Sequence, residues 1–120
     1  MPEVAAAALD RPWPVELTFQ TGIRSLKVRF DDGAGFDIPY ELLRVESPSA
    51  EVQGHSAAGK KLVVGKQDVG IERAEPVGRY AVRLIFDDGH DSGIYTWDWL
   101  YRLGRDQKKL MEDYRRATRA

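Results

Sequence analysis

A strand, a tight turn, a second strand and a helix start are written twice in this chain, and that echo constrains the fold more than any other feature. Val28-Arg29-Phe30-Asp31-Asp32-Gly33, then Ile38 and Tyr40-Glu41-Leu42-Leu43, is answered by Leu84-Ile85-Phe86-Asp87-Asp88-Gly89, then Ile94 and Trp97-Asp98-Trp99-Leu100. Before each turn, apolar and polar residues alternate. Leu26, Val28 and Phe30 are interleaved with Ser25, Lys27 and Arg29, and Tyr80, Val82, Leu84 and Phe86 recur at every second position. A period of two puts alternate side chains on opposite faces of a strand. Asp-Gly supplies the turn, because Gly takes positive φ freely and Asp tolerates it. Two such units predict a two-layer α+β fold, a twisted and mainly antiparallel sheet with helices on one side. Two copies are too few for a solenoid.

The remaining segments fill in this frame. Val15 to Gln20 alternates as a further strand, and Pro39 to Arg44 reads as a brief helix with Pro in its first turn. From Thr96 to Arg119, Trp97, Leu100, Tyr101, Leu103, Leu110, Met111 and Tyr114 fall at mostly helical spacings, which predicts a C-terminal helix with Thr96 as N-cap. Gly104 is expected to break or end its first part. The stretch Glu46 to Gly70 holds Pro48 and four glycines, and predicts an excursion or a pair of small strands over the core. Residues 1–12 mix Ala with Pro2 and Pro12 without periodicity, so a disordered start before one domain over 13–120 is expected.

Composition limits the function classes. The 120 residues include 42% hydrophobic ones, enough for one core and too few for two. Eighteen basic against 19 acidic residues leave a net charge of −1, with no global field to draw the chain to nucleic acid or an anionic membrane. Six basic and three acidic residues after Gly104 read as a solvated helix face. With no cysteine there is no disulfide, thiolate nucleophile or Cys-based metal site. No basic leader or long apolar run stands at the start, so a cytoplasmic location is expected.

The densest polar cluster is Asp87-Asp88-Gly89-His90-Asp91-Ser92. Imidazole and carboxylate together suit zinc or iron, so His90 and Asp91 are candidate ligands, joined by His55 with Glu51. The spacing matches no recognised ligand pattern, and Asp-Gly belongs to any hairpin. A small-molecule enzyme using Asp88 and His90 needs an apolar pocket beside them. Ser92, His90 and Asp91 are adjacent in sequence, but nucleophilic catalysis needs groups assembled by the fold. Gly59 to Gln67 falls short of a phosphate loop: five residues separate Gly59 from Gly65, and Gln67 stands where a hydroxyl should hold magnesium. Trp97 and Trp99 straddle Asp98 and point in different directions from a helix, so one is expected to be exposed. With Tyr95 and Tyr101 it would form an aromatic anchor for a partner protein.

Several blocks in order carry a resemblance: Tyr40 through His55, Gly65-Lys66-Gln67-Asp68-Val69, Pro76 through Ala81, and Phe86 through Trp97. Together they closely resemble the gamma-butyrobetaine hydroxylase-like N-terminal domain family in its short stand-alone bacterial form, a domain of unknown function, over about Leu17 to Arg105. In the hydroxylases such a domain precedes an iron and 2-oxoglutarate catalytic domain and holds zinc through three cysteines and a histidine. The resemblance puts Ser47, Ser49 and Val52 at the cysteine positions and His90 at the histidine. It therefore implies a zinc site that has been lost, and no oxygenase activity. Similar domains also resemble the C-terminal appendage of plastid iron–sulfur carriers of the P-loop class, which implies an accessory role in iron–sulfur or metal-dependent protein maturation. The resulting expectation is a non-catalytic module that binds another protein, with metal binding through His90 as the alternative.

Overall fold

The computed structural model describes residues 12–54 and 59–119. Strands β1 (Pro14–Gln20), β2 (Ser25–Phe30) and β3 (Gly35–Pro39) lead into helix α1 (Tyr40–Val45) and a single helical turn, α2 (Ala50–Gln53). Strands β4 (Ile71–Val77), β5 (Ala81–Phe86) and β6 (Gly93–Thr96) then run directly into α3 (Trp97–Arg119). Among the described residues every strand pairing is antiparallel, and the six strands divide into two sheets of three, β1-β2-β3 and β4-β5-β6. The α+β fold with a C-terminal helix stands, and the finer arrangement is two small meanders.

The sequence echo is reproduced bond for bond. Phe30 N–H donates to Ala34 and Phe86 N–H to His90, at 2.8 and 2.9 Å, while Gly33 and Gly89 take φ of 92° and 94°. Asp32 Oδ1 accepts from Ala34 N–H at 2.9 Å, and Asp88 Oδ1 from His90 N–H at 3.0 Å, so each Asp pins its own turn. Pro76 is tolerated because β4 pairs only with β5 and is an edge strand.

Leu26, Val28 and Phe30 of β2 meet Val82, Leu84 and Phe86 of β5 in one buried cluster with Leu42 and Leu43 of α1 and Leu100 and Leu103 of α3. Helix α3 lies against β3, β6 and α1.

One expectation is corrected here, and another is narrowed from an excursion or a pair of strands to the excursion. Helix α3 is continuous through Gly104, which is buried rather than terminal. An ideal Cβ there would lie 2.4 Å from Phe36 Cγ, so the glycine is present to let the helix approach β3. Among the described residues of 46–70 there is no strand. That stretch contains α2, capped by Ser49, whose hydroxyl accepts from Glu51 N–H at 3.2 Å, and then irregular chain anchored by buried Val63 and Val69. The expected disorder at the N-terminus concerns residues that, but for Pro12, lie outside those described.

Candidate functional site

The link between α1 and α2 and the loop between β5 and β6 meet in a polar cluster inside an otherwise apolar interior. Pro48 follows Ser47 and biases it away from helical geometry, which ends α1 and turns the Ser47 side chain inward. Ser47 is fully buried and His90 nearly so. Ser47 Oγ lies 2.9 Å from His90 Nε2, and also accepts from Ser49 N–H at 3.2 Å. Glu51 Oε2 stands 3.7 Å from His90 Nδ1, which favours the proton on Nδ1 and leaves Nε2 to accept from Ser47. A second chain of hydroxyls runs beside the first. Ser92 donates to Glu51 Oε1 at 2.6 Å, so Ser49, 2.7 Å away, donates to Ser92.

Gly93 is what allows this closeness, because a Cβ at that position would fall 2.5 Å from Ser47 Oγ and 2.9 Å from the Tyr95 ring. Below the cluster, Asp88 Oδ2 receives both Arg44 Nε at 2.8 Å and Lys66 Nζ at 2.7 Å. Burial works against the Asp88 carboxylate, but Lys66, the His90 N–H and Arg44 outweigh it and hold its pKa well below the usual carboxylate range. Burial, reinforced by the nearby Arg44 charge, pushes the His90 pKa down from 6.5.

Both depressions have the same consequence for stability. The folded state binds fewer protons at these groups than the unfolded chain, so their contribution is present above the unfolded pKa values and is lost as pH falls through the folded ones. His90 acts first, below about 6.5, and Asp88 only below about 3.8. Denaturant midpoints are therefore expected to fall between pH 7 and pH 5, and to fall less in His90→Gln. Equal falls in the two proteins would remove His90 as the source.

The order Ser47, His90, Glu51 imitates a hydrolase triad, but the imitation is geometric only. The Ser47 hydroxyl has no exposed surface, so no substrate carbonyl reaches it. Nor do these residues fit the zinc implied by the resemblance. Ser47, Ser49 and His90 do converge, and Val52 lines the same cleft as His90. However, two hydroxyls and a valine do not replace thiolates, and His90 Nε2 is already engaged by Ser47. Asp91 turns toward Arg83, which donates to its carbonyl at 2.8 Å and lies 3.8 Å from its carboxylate. His55 lies outside the described residues. Among the described residues, no group of three or more His, Asp and Glu side chains is placed to hold a metal.

The aromatic group also differs from its expected role. Tyr95 is fully buried and donates to the Leu43 carbonyl, and burial raises its pKa, so it contacts no partner. Trp97 and Trp99 are both half-buried against the core, each indole N–H held by a backbone carbonyl, of Arg79 at 2.8 Å and Glu46 at 3.0 Å. Neither is the exposed member expected of the pair. Tyr101 packs edge-on to Phe30 and Phe36 and donates to Asp32 at 2.7 Å. Tyr95→Phe leaves the Leu43 carbonyl without its donor and is expected to cost about 1–2 kcal/mol, read from equilibrium denaturation.

Several large apolar side chains stand in the open, Trp13, Val15, Ile23, Tyr80 and Ile94 on or beside the strands and their turns, and two more follow the buried cluster. Leu62 and Val64 are 52% and 57% exposed, with Val63 buried between them. This segment separates two clefts. One, of about 290 Å³, runs between Leu62 and the α3 residues Leu110 and Tyr114. The other, of about 280 Å³, is bordered by Arg44, Lys61, Lys66 and His90. The convergence of Arg44 and Lys66 on Asp88 was not indicated by any local motif, since it joins segments far apart in sequence.

The model for gamma-butyrobetaine hydroxylase-like N-terminal domains matches residues 17–101. A protein solved by solution NMR is 46% identical, with a TM-score of 0.78 over 92% of this chain and 85% of its own. A second NMR structure is 43% identical, with a TM-score of 0.77, covering 91% of this chain and 86% of its own. A crystal structure of a DUF971-family protein of unknown function from Acidithiobacillus ferrooxidans is 38% identical, with a TM-score of 0.64 over 76% of this chain and 91% of its own. No curated protein matches. No helix among the described residues is long and apolar enough to cross a membrane.

Proposed function

The chain belongs to the gamma-butyrobetaine hydroxylase-like N-terminal domain family, and from that premise we propose that it is a non-catalytic accessory module that docks another protein. The observation that carries this reading is the exposure of Leu62 at the rim of a mostly apolar groove, with exposed Val64 two residues further along the same irregular chain. Apolar side chains presented at a groove are what partner recognition requires. Exclusion of catalysis is supported by the buried Ser47 and by His90 Nε2 being engaged within the protein. The resemblance to appendages of iron–sulfur carriers makes maturation of metal-dependent proteins the setting in which to seek the partner.

The metal-binding alternative rests on His90, Asp91 and Glu51, and is weakened by the engagement of Asp91 with Arg83. The docking reading is tested by quantitative capture from the native host with wild type and with Leu62→Ser/Val64→Ser, after confirming equal thermal stability. A partner recovered stoichiometrically by wild type and lost by the variant is expected. Identical recoveries would defeat the reading.

A further inference from the structure

Three cationic side chains, Arg44, Lys61 and Lys66, border the cleft of about 280 Å³ beside His90. Their charge is not fully answered within the protein. Arg44 and Lys66 share one carboxylate oxygen, Asp88 Oδ2, so that pair of cations keeps a positive surplus. The Lys61 ammonium makes no ion pair within 4.0 Å among the described residues, and Glu51 attracts it only from farther off. Glu51, the acid in the cleft wall, has one oxygen occupied by Ser92 and lies with the other toward His90. Arg44 Nη1 is buried with no acceptor among the described residues, while its Nε is held by Asp88. Counted with Asp88 and Glu51, three cations face two acids. Beside His90 and these charged groups, the remaining wall is apolar, formed by Val52, Leu62, Val63 and Val64.

We propose that this cleft binds a small organic anion, with a carboxylate or phosphate head received by Arg44, Lys61 and Lys66 and a short apolar stem against Val52 and Val64. The volume lies at the small end of ligand pockets and admits a short acid or phosphate monoester, not a dinucleotide. An arginine and two lysines around one position are the donors that charge-assisted recognition of an oxyanion uses. The proposal goes beyond protein docking, since a chain that docks nothing can still take the anion.

The test is ¹H–¹⁵N NMR of the full chain titrated at constant ionic strength with sodium butyrate and, separately, inorganic phosphate. Saturable shifts concentrated at Arg44, Lys61, Val64 and His90 are expected with at least one probe, and the tighter of the two identifies the head group. Lys61→Gln, at an exposed position, should weaken that binding by about threefold or more, as loss of one charge-assisted contact does. Lys108→Gln on the outer face of α3 should leave it unchanged. Shifts that rise linearly and spread over the lysines and arginines of α3, or a Lys61→Gln protein that titrates like wild type, would overturn the proposal.

Discussion

A chain carrying Ser47→Cys, Ser49→Cys and Val52→Cys together is expected to take up one zinc ion and, once loaded, to unfold roughly 10 °C or more above its metal-free form. The expectation rests on the backbone having the arrangement that a Cys₃His site needs. His90 Nε2 and Ser47 Oγ are 2.9 Å apart, and two ligands of one tetrahedral zinc stand roughly 3.5 Å apart, so a modest opening suffices. Ser49 N–H already bonds to Ser47 Oγ, and Val52 is buried against the same cleft. A structural zinc held a thousandfold above its dissociation constant adds about 4 kcal/mol, far more than the small cost of the side-chain changes. Ser47→Cys alone supplies one thiolate and should retain no metal through gel filtration. A triple variant that folds but keeps no zinc would show that these positions do not converge.

Gly104→Ala is expected to destabilise the protein by about 2 kcal/mol, the reverse of what helix propensity dictates. In an exposed helix the change would stabilise by about 1 kcal/mol, because glycine has more backbone freedom to lose. Here the new methyl would fall 2.4, 2.5 and 2.8 Å from Phe36 Cγ, Cδ2 and Cβ. These atoms sit near the Phe36 backbone, and the ring is held edge-on between Phe30 and Tyr101, so it has little room to retreat. A double-mutant cycle isolates the clash. In a Phe36→Ala background, which removes the contacts at Cγ and Cδ2 and keeps the one at Cβ, Gly104→Ala should cost markedly less than in wild type, with the difference read from urea midpoints. A loss of the same size with and without the Phe36 ring would assign the effect to something other than this contact.

The two hairpins were legible because their signals are local. Period-two alternation in β2 and β5 and an Asp-Gly at each turn depend on neighbours within a few residues, and the structure repeats the same bonds at both. Thr96 as the cap of α3 was legible for the same reason, and its hydroxyl accepts from Trp99 N–H at 3.2 Å.

What escaped depends on contacts distant in sequence. Gly104 carries a local signal for a helix end, but its role is set by Phe36 on another element. Tyr95, Trp97 and Trp99 look alike as aromatics near a helix start, and only the Leu43, Arg79 and Glu46 carbonyls reveal that all three are turned inward or held down. Asp88 reads as a turn residue and is one, but it also anchors Arg44 from 44 positions away. The division into two sheets was likewise hidden, since the echo predicts hairpins without stating which edges join.

The central claim is that the polar cluster at Ser47 and His90 is satisfied within the chain and holds no metal. It is tested most directly by elemental analysis of untagged wild-type protein, purified without chelator from zinc-replete cells. The account predicts no zinc or iron above the buffer level, with wild type and His90→Ala indistinguishable. A stoichiometric ion in wild type that disappears in His90→Ala would contradict it.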